Sequence, residues 1–199
     1  MVEKKFDQLL GIRTDGIREW RGNVPYNRYE PTPYVALEKL FQAYRIEEED
    51  EVVDFGCGRG RVSFYIHHRF QVPVTGIENN DKTFQEALDN EASYRRGREH
   101  IKAPIELEYG LAEMYEIEKT ENCFYFFNPF SVNIFKKVVD NIMTSIKQHD
   151  RPVDLILYYP LPEYKRFLKQ KTPFRLINKV RVPEANHGKR GKFKIYRYA

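Results

Sequence analysis

Residues 51–61 read Glu-Val-Val-Asp-Phe-Gly-Cys-Gly-Arg-Gly-Arg, a short apolar run that ends in an aspartate and continues into three alternating glycines. The apolar run predicts a strand, and the segment after Gly60 predicts a helix, so the glycines form the turn between them. Glycine accepts backbone angles and close approaches that other residues resist. A helix N-terminus also presents free N–H groups. The stretch therefore predicts a turn that receives the polar part of a nucleotide-like cofactor.

The composition of the chain is that of a soluble globular protein. Its 199 residues are 41% apolar and 31% charged, with a net charge of +4 that permits an anionic partner without requiring nucleic acid. The two cysteines, Cys57 and Cys123, do not suggest a disulfide framework, so we expect a reducing compartment. We find no signal-peptide pattern and no apolar run long enough to span a membrane, so a cytoplasmic protein without membrane contact is expected.

Strands and helices alternate along the rest of the sequence. This pattern predicts an α/β fold, namely a three-layer, doubly wound, mostly parallel seven-stranded sheet. The last two strands are joined by only nine residues, 183–191, and should form an antiparallel C-terminal hairpin. We expect residues 1–31 to form an N-terminal arm and residues 32–199 to form the domain, whose first helix follows a Thr32 cap and Pro33. The predicted strands are 51–55, 72–78, 105–109, 123–127, 153–159, 174–182 and 192–198.

The glycine spacing argues against a dinucleotide cofactor. The dinucleotide fingerprint is G-x-G-x-x-G, and Arg61 stands where its third glycine belongs. Asp54, two residues before the first glycine, would repel a pyrophosphate. It suits instead a cofactor that carries a positive amino group and no phosphate.

The pattern Val53, Asp54, Gly56, Gly58, Gly60 resembles motif I of the class I S-adenosylmethionine-dependent methyltransferases. The resemblance implies S-adenosyl-L-methionine as cofactor, with the glycines beside its methionine part. Glu78 ends the second predicted strand, where the family places the carboxylate that binds the ribose hydroxyls. The cofactor-binding residues expected from this resemblance are Asp54, Gly56, Cys57, Gly58, Gly60, Glu78, Asn79, Ala112 and Glu113.

The sequence departs from the family pattern after the third strand. The family often has an aspartate there that holds the adenine amino group, whereas this chain has Leu111 at that position. Two alternatives stay open: Glu113 replaces the aspartate, or backbone and apolar contacts hold the adenine.

The expected catalytic residues are Asn128, Pro129 and Phe130, which follow the fourth strand. They resemble the [DNS]-P-P-[FYW] motif of methyltransferases that act on planar amino groups, although one proline is missing, which disfavours a base-flipping DNA methyltransferase. The loop also resembles that of Dot1-type protein lysine methyltransferases. By this resemblance Asn128 and the Pro129 carbonyl orient a nitrogen and Phe130 packs against it. The alternative is that the segment only turns the chain into a helix capped by Ser131.

The sequence therefore predicts a methyltransferase that acts on a nitrogen, with a protein lysine or another amino group as acceptor. The acceptor molecule stays open between protein, nucleic acid and small molecule. A non-catalytic module that docks RNA or a protein through basic segments 95–98 and 186–192 is the alternative. The five histidines show no metal-ligand spacing, so no metal is expected. Tyr26, Tyr29 and Tyr34 are candidates for lining or covering the cleft.

Overall fold

The computed structural model describes residues 2–18, 25–182 and 191–199, in which helices and strands alternate as the sequence predicts. A short 3-10 helix, Ala112–Met114, follows the third strand. The helices are α1 (Val2–Leu10), α2 (Tyr34–Ala43), α3 (Arg61–Phe70), α4 (Asp81–Arg95), α5 (Val132–Gln148) and α6 (Pro162–Lys171). The strands are β1 (Val52–Phe55), β2 (Val74–Glu78), β3 (Ile105–Tyr109), β4 (Cys123–Phe126), β5 (Val153–Tyr158), β6 (Arg175–Arg181) and β7 (Lys192–Tyr198).

The strands form one seven-stranded sheet in the order β3-β2-β1-β4-β5-β7-β6. Strands β1 to β5 pair in parallel, and β7 pairs antiparallel with both β5 and β6. The predicted fold class and the antiparallel C-terminal hairpin are therefore confirmed. From β1 the next strands, β2 and β3, are added on one side, and from β4 onwards the strands are added on the other side. The carboxyl ends of β1 and β4 therefore border the crevice where ligands bind in such sheets.

The core lies on both faces of the sheet. Val53 and Phe55 of β1 face the layer of α5 and α6, whereas Val52 faces the layer of α2 and α3. All four residues of β1 are buried, as expected for a central parallel strand covered on both faces. Packing on both faces therefore fixes the position of the end of β1, where Asp54 leads into the glycine turn.

The N-terminal segment and the helix starts differ from the predictions. The segment expected to form an N-terminal arm begins with the helix α1. Thr32 does not cap α2: Pro33 is the N-cap residue, and the Thr32 hydroxyl instead pairs with the Tyr125 hydroxyl at 2.8 Å. Ser131 is the N-cap residue of α5, as expected, but its side chain makes no capping hydrogen bond. The basic loop predicted at 186–192 lies outside the described residues except for its last two positions.

Candidate functional site

The glycine turn after β1 requires glycine at each of its three alternating positions. Gly56, Gly58 and Gly60 have φ of +74°, +59° and +85°, in the left-handed region that other residues rarely adopt. A Cβ atom on Gly56 would lie 2.5 Å from Cβ of Pro129, and one on Gly58 would lie 2.3 Å from the Tyr29 ring. The turn is therefore packed closely between the loop after β4 and the N-terminal segment. Only residues without side chains allow so close an approach.

Asp54 is buried below the turn with one polar partner. The Ser63 hydroxyl donates to its Oδ2 at 2.8 Å. The pKa of Asp54 is raised to about 7: burial is the largest cause, the nearby Glu78 adds to the rise, and the hydrogen bonds from Ser63 oppose it. The carboxyl group is thus close to half-charged at neutral pH, and a cation placed beside it would favour its charged form.

Glu78 closes the same crevice from the end of β2. Its Oε2 accepts a hydrogen bond from the Gly58 N–H at 2.9 Å, and its Oε1 accepts from the N–H groups of Asn79 and Asn80 at 2.9 and 2.8 Å. Burial raises the pKa of Glu78, and these N–H groups act against that rise. A carboxylate has about four acceptor positions, so these three bonds leave room for a ligand hydroxyl.

Residues 25–30 cover this cleft, and we call this segment the roof. Tyr26 forms an isolated antiparallel bridge with Phe130, and the Asn27 N–H donates to the Pro129 carbonyl at 2.9 Å. The Tyr29 hydroxyl donates to the Thr14 carbonyl at 2.6 Å, and the Arg59 guanidinium stacks 4.9 Å from the centre of the Tyr29 ring. The narrow cleft that results is lined by the roof and by Gly56, Ile77, Glu78, Asn79, Asn80, Thr83, Gly110, Ala112 and Pro129.

The remaining predicted cofactor residues divide into two groups. Asn79 and Ala112 line the cleft. Cys57 points away from it: its side chain is buried against Gly76, where an added Cβ would lie 2.9 Å from the Cys57 sulfur. Glu113 lies on the short 3-10 helix, and its Oε2 accepts a hydrogen bond from the Tyr26 hydroxyl at 2.8 Å. Glu113 is thus attached to the roof, and it does not line the cleft itself.

Asn128 stands between this cleft and a second one. Its φ is +41°, and its Nδ2 donates to the backbone carbonyl of Tyr159. Its Oδ1 is buried and has no hydrogen-bond partner among the described residues. A buried acceptor without a partner is costly, so this oxygen is a polar group that the described residues leave unsatisfied.

The neighbours of Asn128 are more enclosed. The Pro129 carbonyl already accepts the Asn27 N–H, which leaves it one lone pair. The Phe130 ring is 1% exposed and packs edge-on against Phe126 and Tyr26. Phe130 therefore supports the loop from within the core.

The second cleft opens on the other side of the roof and contains aromatic and charged side chains. Arg28, Glu30 and Phe127 line both clefts, so the two meet there. The second cleft is also lined by Glu3, Asp15, Gly16, Ile17, Pro31, Pro33, Arg61, Asn128, Tyr158 and Tyr159. The structure therefore has two adjoining clefts, and Asn128, which lines the second, stands between Phe127 and Pro129, which line the first.

Arg61 is a residue whose importance the sequence did not reveal. It is buried, its Nε donates to the Thr14 hydroxyl at 2.6 Å, and it pairs with Glu3. Its guanidinium also stacks 4.5 Å from the centre of the Tyr34 ring. Arg61 thus attaches α1, Thr14 and the start of α2 to the first turn after the glycines. The one signal in the sequence was the position of this arginine directly after the glycine turn.

No group of potential metal ligands occurs within residues 2–18, 25–182 and 191–199. None of the helices in that part of the chain is long and apolar enough to cross a membrane.

Comparison with known proteins finds similarity to methyltransferases. No family model matches the sequence. A stretch of 68 residues, 34% of this chain, is 35% identical to a protein-lysine N-methyltransferase of Saccharolobus islandicus (strain REY15A). The matched stretch spans only 42% of that relative.

Solved structures resemble the chain over most of its length. A Pyrococcus horikoshii protein described as an RNA methyltransferase by inference matches with a TM-score of 0.60 and 18% identity, over 98% of this chain and 97% of its own. An RNA methyltransferase of Salinibacter ruber, in complex with S-adenosyl-L-homocysteine, matches with a TM-score of 0.54 and 16% identity, over 85% and 92% of the two chains.

The chain has the Rossmann-like α/β fold of the class I S-adenosylmethionine-dependent methyltransferases. The sheet order, the antiparallel β7 and these structural matches agree on this point. The fold implied by the motif I resemblance is thereby confirmed.

Proposed function

We propose that this protein is an S-adenosylmethionine-dependent methyltransferase that transfers a methyl group to a nitrogen. The observation that carries the proposal is the buried, partnerless Oδ1 of Asn128 at the boundary between a glycine-cradled cleft and an adjoining aromatic cleft. The partial match to a protein-lysine N-methyltransferase and the similarity to an RNA methyltransferase bound to S-adenosyl-L-homocysteine support it.

The residues of the first cleft fit S-adenosylmethionine. Gly56 lines the cleft, where a Cβ would collide with Pro129, Glu78 keeps acceptor capacity for a ribose hydroxyl, and Asp54 below the turn supplies a carboxylate for a positive amino group. We assign Gly56, Gly58, Glu78 and Asn79 to direct contact with the cofactor. Its sulfonium, when bound, supplies an activated methyl group.

The protein's own contribution is positioning and exclusion of water. Asn128 Oδ1 accepts an N–H of the incoming nitrogen, and the Nδ2 bond to Tyr159 fixes the direction of that oxygen. The free lone pair of the Pro129 carbonyl adds a second partial negative charge near the nitrogen, which becomes positive during transfer. The Tyr26–Glu30 roof keeps bulk water from the junction of the two clefts.

Titration with S-adenosyl-L-homocysteine by isothermal calorimetry tests the cofactor assignment. In Glu78→Gln one carboxylate oxygen becomes an NH2 group, which removes an acceptor from the site and faces a backbone N–H with another donor. A hydrogen bond to a charged group contributes about 1.5–3 kcal/mol, so affinity should fall roughly 10- to 150-fold. Glu48→Gln, an exposed site with the same charge change, is the control and should bind like the wild type. Equal affinity of both variants would count decisively against the assignment.

The acceptor side is tested by Asn128→Gly, which suits the positive φ but removes the amide. Labelled methyl transfer from S-adenosylmethionine into fractions of protein, RNA, DNA and small molecules should fall about 100-fold, on the scale of removing one positioned polar group. Binding of S-adenosyl-L-homocysteine should stay within about twofold of wild type by the same energy scale. A variant that transfers methyl groups normally would exclude the role given to Asn128. Intact cofactor binding with no transfer into any fraction would favour a non-catalytic module.

A further inference from the structure

Five cations of the C-terminal hairpin and α6 form a group that we call the basic patch: Lys165, Lys179, Arg181, Lys192 and Lys194. In the register of β6 and β7, Lys179 lies directly opposite Lys194, and Arg181 lies directly opposite Lys192. Side chains alternate across a strand, so these four point to one face of the hairpin. Val180, Phe193 and Ile195 are buried on the opposite face.

The patch places like charges in the positions where a sheet normally pairs opposite ones. Like charges directly across an antiparallel pair are destabilising, and here two such pairs follow each other. Lys165 of α6 adds to them: burial, and then the charges of Lys165, Lys179 and Lys192, lower the pKa of Lys194. Within residues 2–18, 25–182 and 191–199 none of the five cations forms an ion pair. Such an arrangement gains stability when an anion binds.

The patch begins at the edge of the second cleft. The Tyr159 N–H donates to the Lys192 carbonyl at 3.1 Å, and the Tyr159 carbonyl accepts from Asn128. From Lys192 the patch runs two residues further along β7 to Lys194, about 7 Å at the usual strand rise. The patch side chains lie on the face of the sheet that α6 covers, and Tyr158 and Tyr159 of the cleft pack with the opposite face, so an RNA held on the patch would pass over the carboxyl end of β5 to reach the cleft beside Asn128.

We propose that the basic patch binds the phosphate backbone of single-stranded RNA and delivers a base of that RNA to the second cleft. The identity of the methyl acceptor rests on the proposed function, but the RNA contact itself does not. Hairpin lysines at alternate positions give evenly spaced point charges in two neighbouring rows, which suits a repeating phosphate chain.

The second cleft favours RNA over an acidic protein as the partner. The rings of Phe127 and Tyr159 lie there with their centres 6.2 Å apart and their planes 32° apart, and aromatic faces of this kind stack with unpaired bases. Glu30 in the same cleft can accept an exocyclic amino group of a base. An acidic protein segment offers neither a flat ring for the aromatic side chains nor an N–H donor from its carboxylates.

Fluorescence anisotropy of a labelled single-stranded RNA of mixed sequence, measured between about 50 and 200 mM salt without cofactor, tests the contact. The variant is Lys179→Gln with Lys194→Gln. Each phosphate contact on a single strand contributes about −0.7 to the slope of log K against log salt, so the slope should become shallower by about 1.4. Affinity at the lowest salt should fall about tenfold or more.

The matched control is Lys119→Gln with Lys147→Gln. Both lysines are exposed, one before β4 and the other in the last turn of α5, near the amino ends of β4 and β5 and so at the opposite end of these strands from the site. This control should keep the wild-type slope and affinity. Equal losses in the two double variants would overturn the proposal, because they would show a response to net charge alone. Displacement of the RNA by polyglutamate at equal charge concentration would also overturn it, in favour of an acidic protein.

The two proposals fail separately. Titration of the same preparations with S-adenosyl-L-homocysteine shows whether the cofactor cleft is intact. RNA binding that depends on the patch, without any cofactor binding, would refute the proposed function alone. Cofactor binding with RNA affinity that does not depend on the patch would refute the RNA contact alone.

Discussion

The substitution Gly58→Ala tests whether the N-terminal roof is packed against the glycine turn. The residue has φ of +59°, and the added Cβ would lie 2.3 Å from two atoms of the Tyr29 ring. The left-handed backbone alone costs an alanine about 1–2 kcal/mol. The ring must also move away, which gives up the Tyr29 hydrogen bond to Thr14, about 0.5–1.5 kcal/mol. We therefore expect a total destabilisation of about 1.5–3.5 kcal/mol.

Gly97→Ala separates the two contributions. Gly97 has φ of +76°, but an added Cβ there would meet nothing within 4 Å. It should cost only the backbone part, about 1–2 kcal/mol. At about 2–4 °C per kcal/mol for a chain of this size, thermal unfolding should place the Tm of Gly58→Ala below that of Gly97→Ala by about 1–6 °C.

The clash also predicts non-additivity. Adding Tyr29→Ala should destabilise the Gly58→Ala protein less than it destabilises the wild type, because the ring has already left its place. Trypsin cleavage after the exposed Arg28 should become faster in Gly58→Ala and stay unchanged in Gly97→Ala. Equal Tm values for the two glycine variants, together with equal cleavage rates, would refute the packing of the roof on the turn.

Two further substitutions address buried charges. Asp54 has a folded pKa of about 7, above its ordinary value of 3.8, so its contribution to stability is full below about pH 4 and is lost as the pH rises towards 7. Asp54→Asn should remove that part of the pH dependence, on the order of 4 kcal/mol between pH 4 and 8, as measured by denaturant unfolding across this range. Arg61→Gln removes a buried guanidinium that pairs with the partly exposed Glu3 and donates to Thr14, and should cost about 1.5–3 kcal/mol, or a Tm lower by roughly 3–12 °C.

Each of these has its own control. For Asp54→Asn, the difference between wild-type and variant curves removes other groups that titrate in the same range, such as Glu121, whose burial raises its pKa to about 7. A difference that is flat with pH would contradict a neutral buried Asp54. For Arg61→Gln, the exposed Arg45 pairs with Glu47, so Arg45→Gln should change stability by less than about 0.5 kcal/mol. If Arg61→Gln and Arg45→Gln changed the stability equally, the contacts of the buried Arg61 would not be what stabilises the protein.

The order of elements was predictable because each one has a local pattern. The strands at 105–109 and 192–198 were predicted with the bounds that the structure has. In α4, Ala87 and Tyr94 are buried, whereas Phe84 and Leu88 are half-buried. The periodicity of apolar residues identifies a helix, but the elements packed against the helix decide which of its turns are buried.

The glycine turn was also predictable, because a backbone with positive φ at alternate positions requires glycines at those same positions of the sequence. The roof could not be read in the same way. Tyr26, Asn27 and Tyr29 reach the site through contacts with residues about 30 to 100 positions away, namely Gly58, Glu113 and Pro129. No local pattern encodes such long-range contacts, so the tyrosine-rich sequence indicated a cover for the cleft without showing what it covers.

The two departures from the motif pattern have one structural explanation. Arg61 stands where a dinucleotide fingerprint has glycine, and Glu113 lies near the position where related enzymes often have aspartate. Arg61 binds Glu3 and Thr14, and Glu113 binds Tyr26, so both residues attach the N-terminal segment to the strand ends. Glu113 contacts the roof directly, through Tyr26. Arg61 supports it indirectly, because Arg61 holds Thr14, whose carbonyl accepts a hydrogen bond from the Tyr29 hydroxyl.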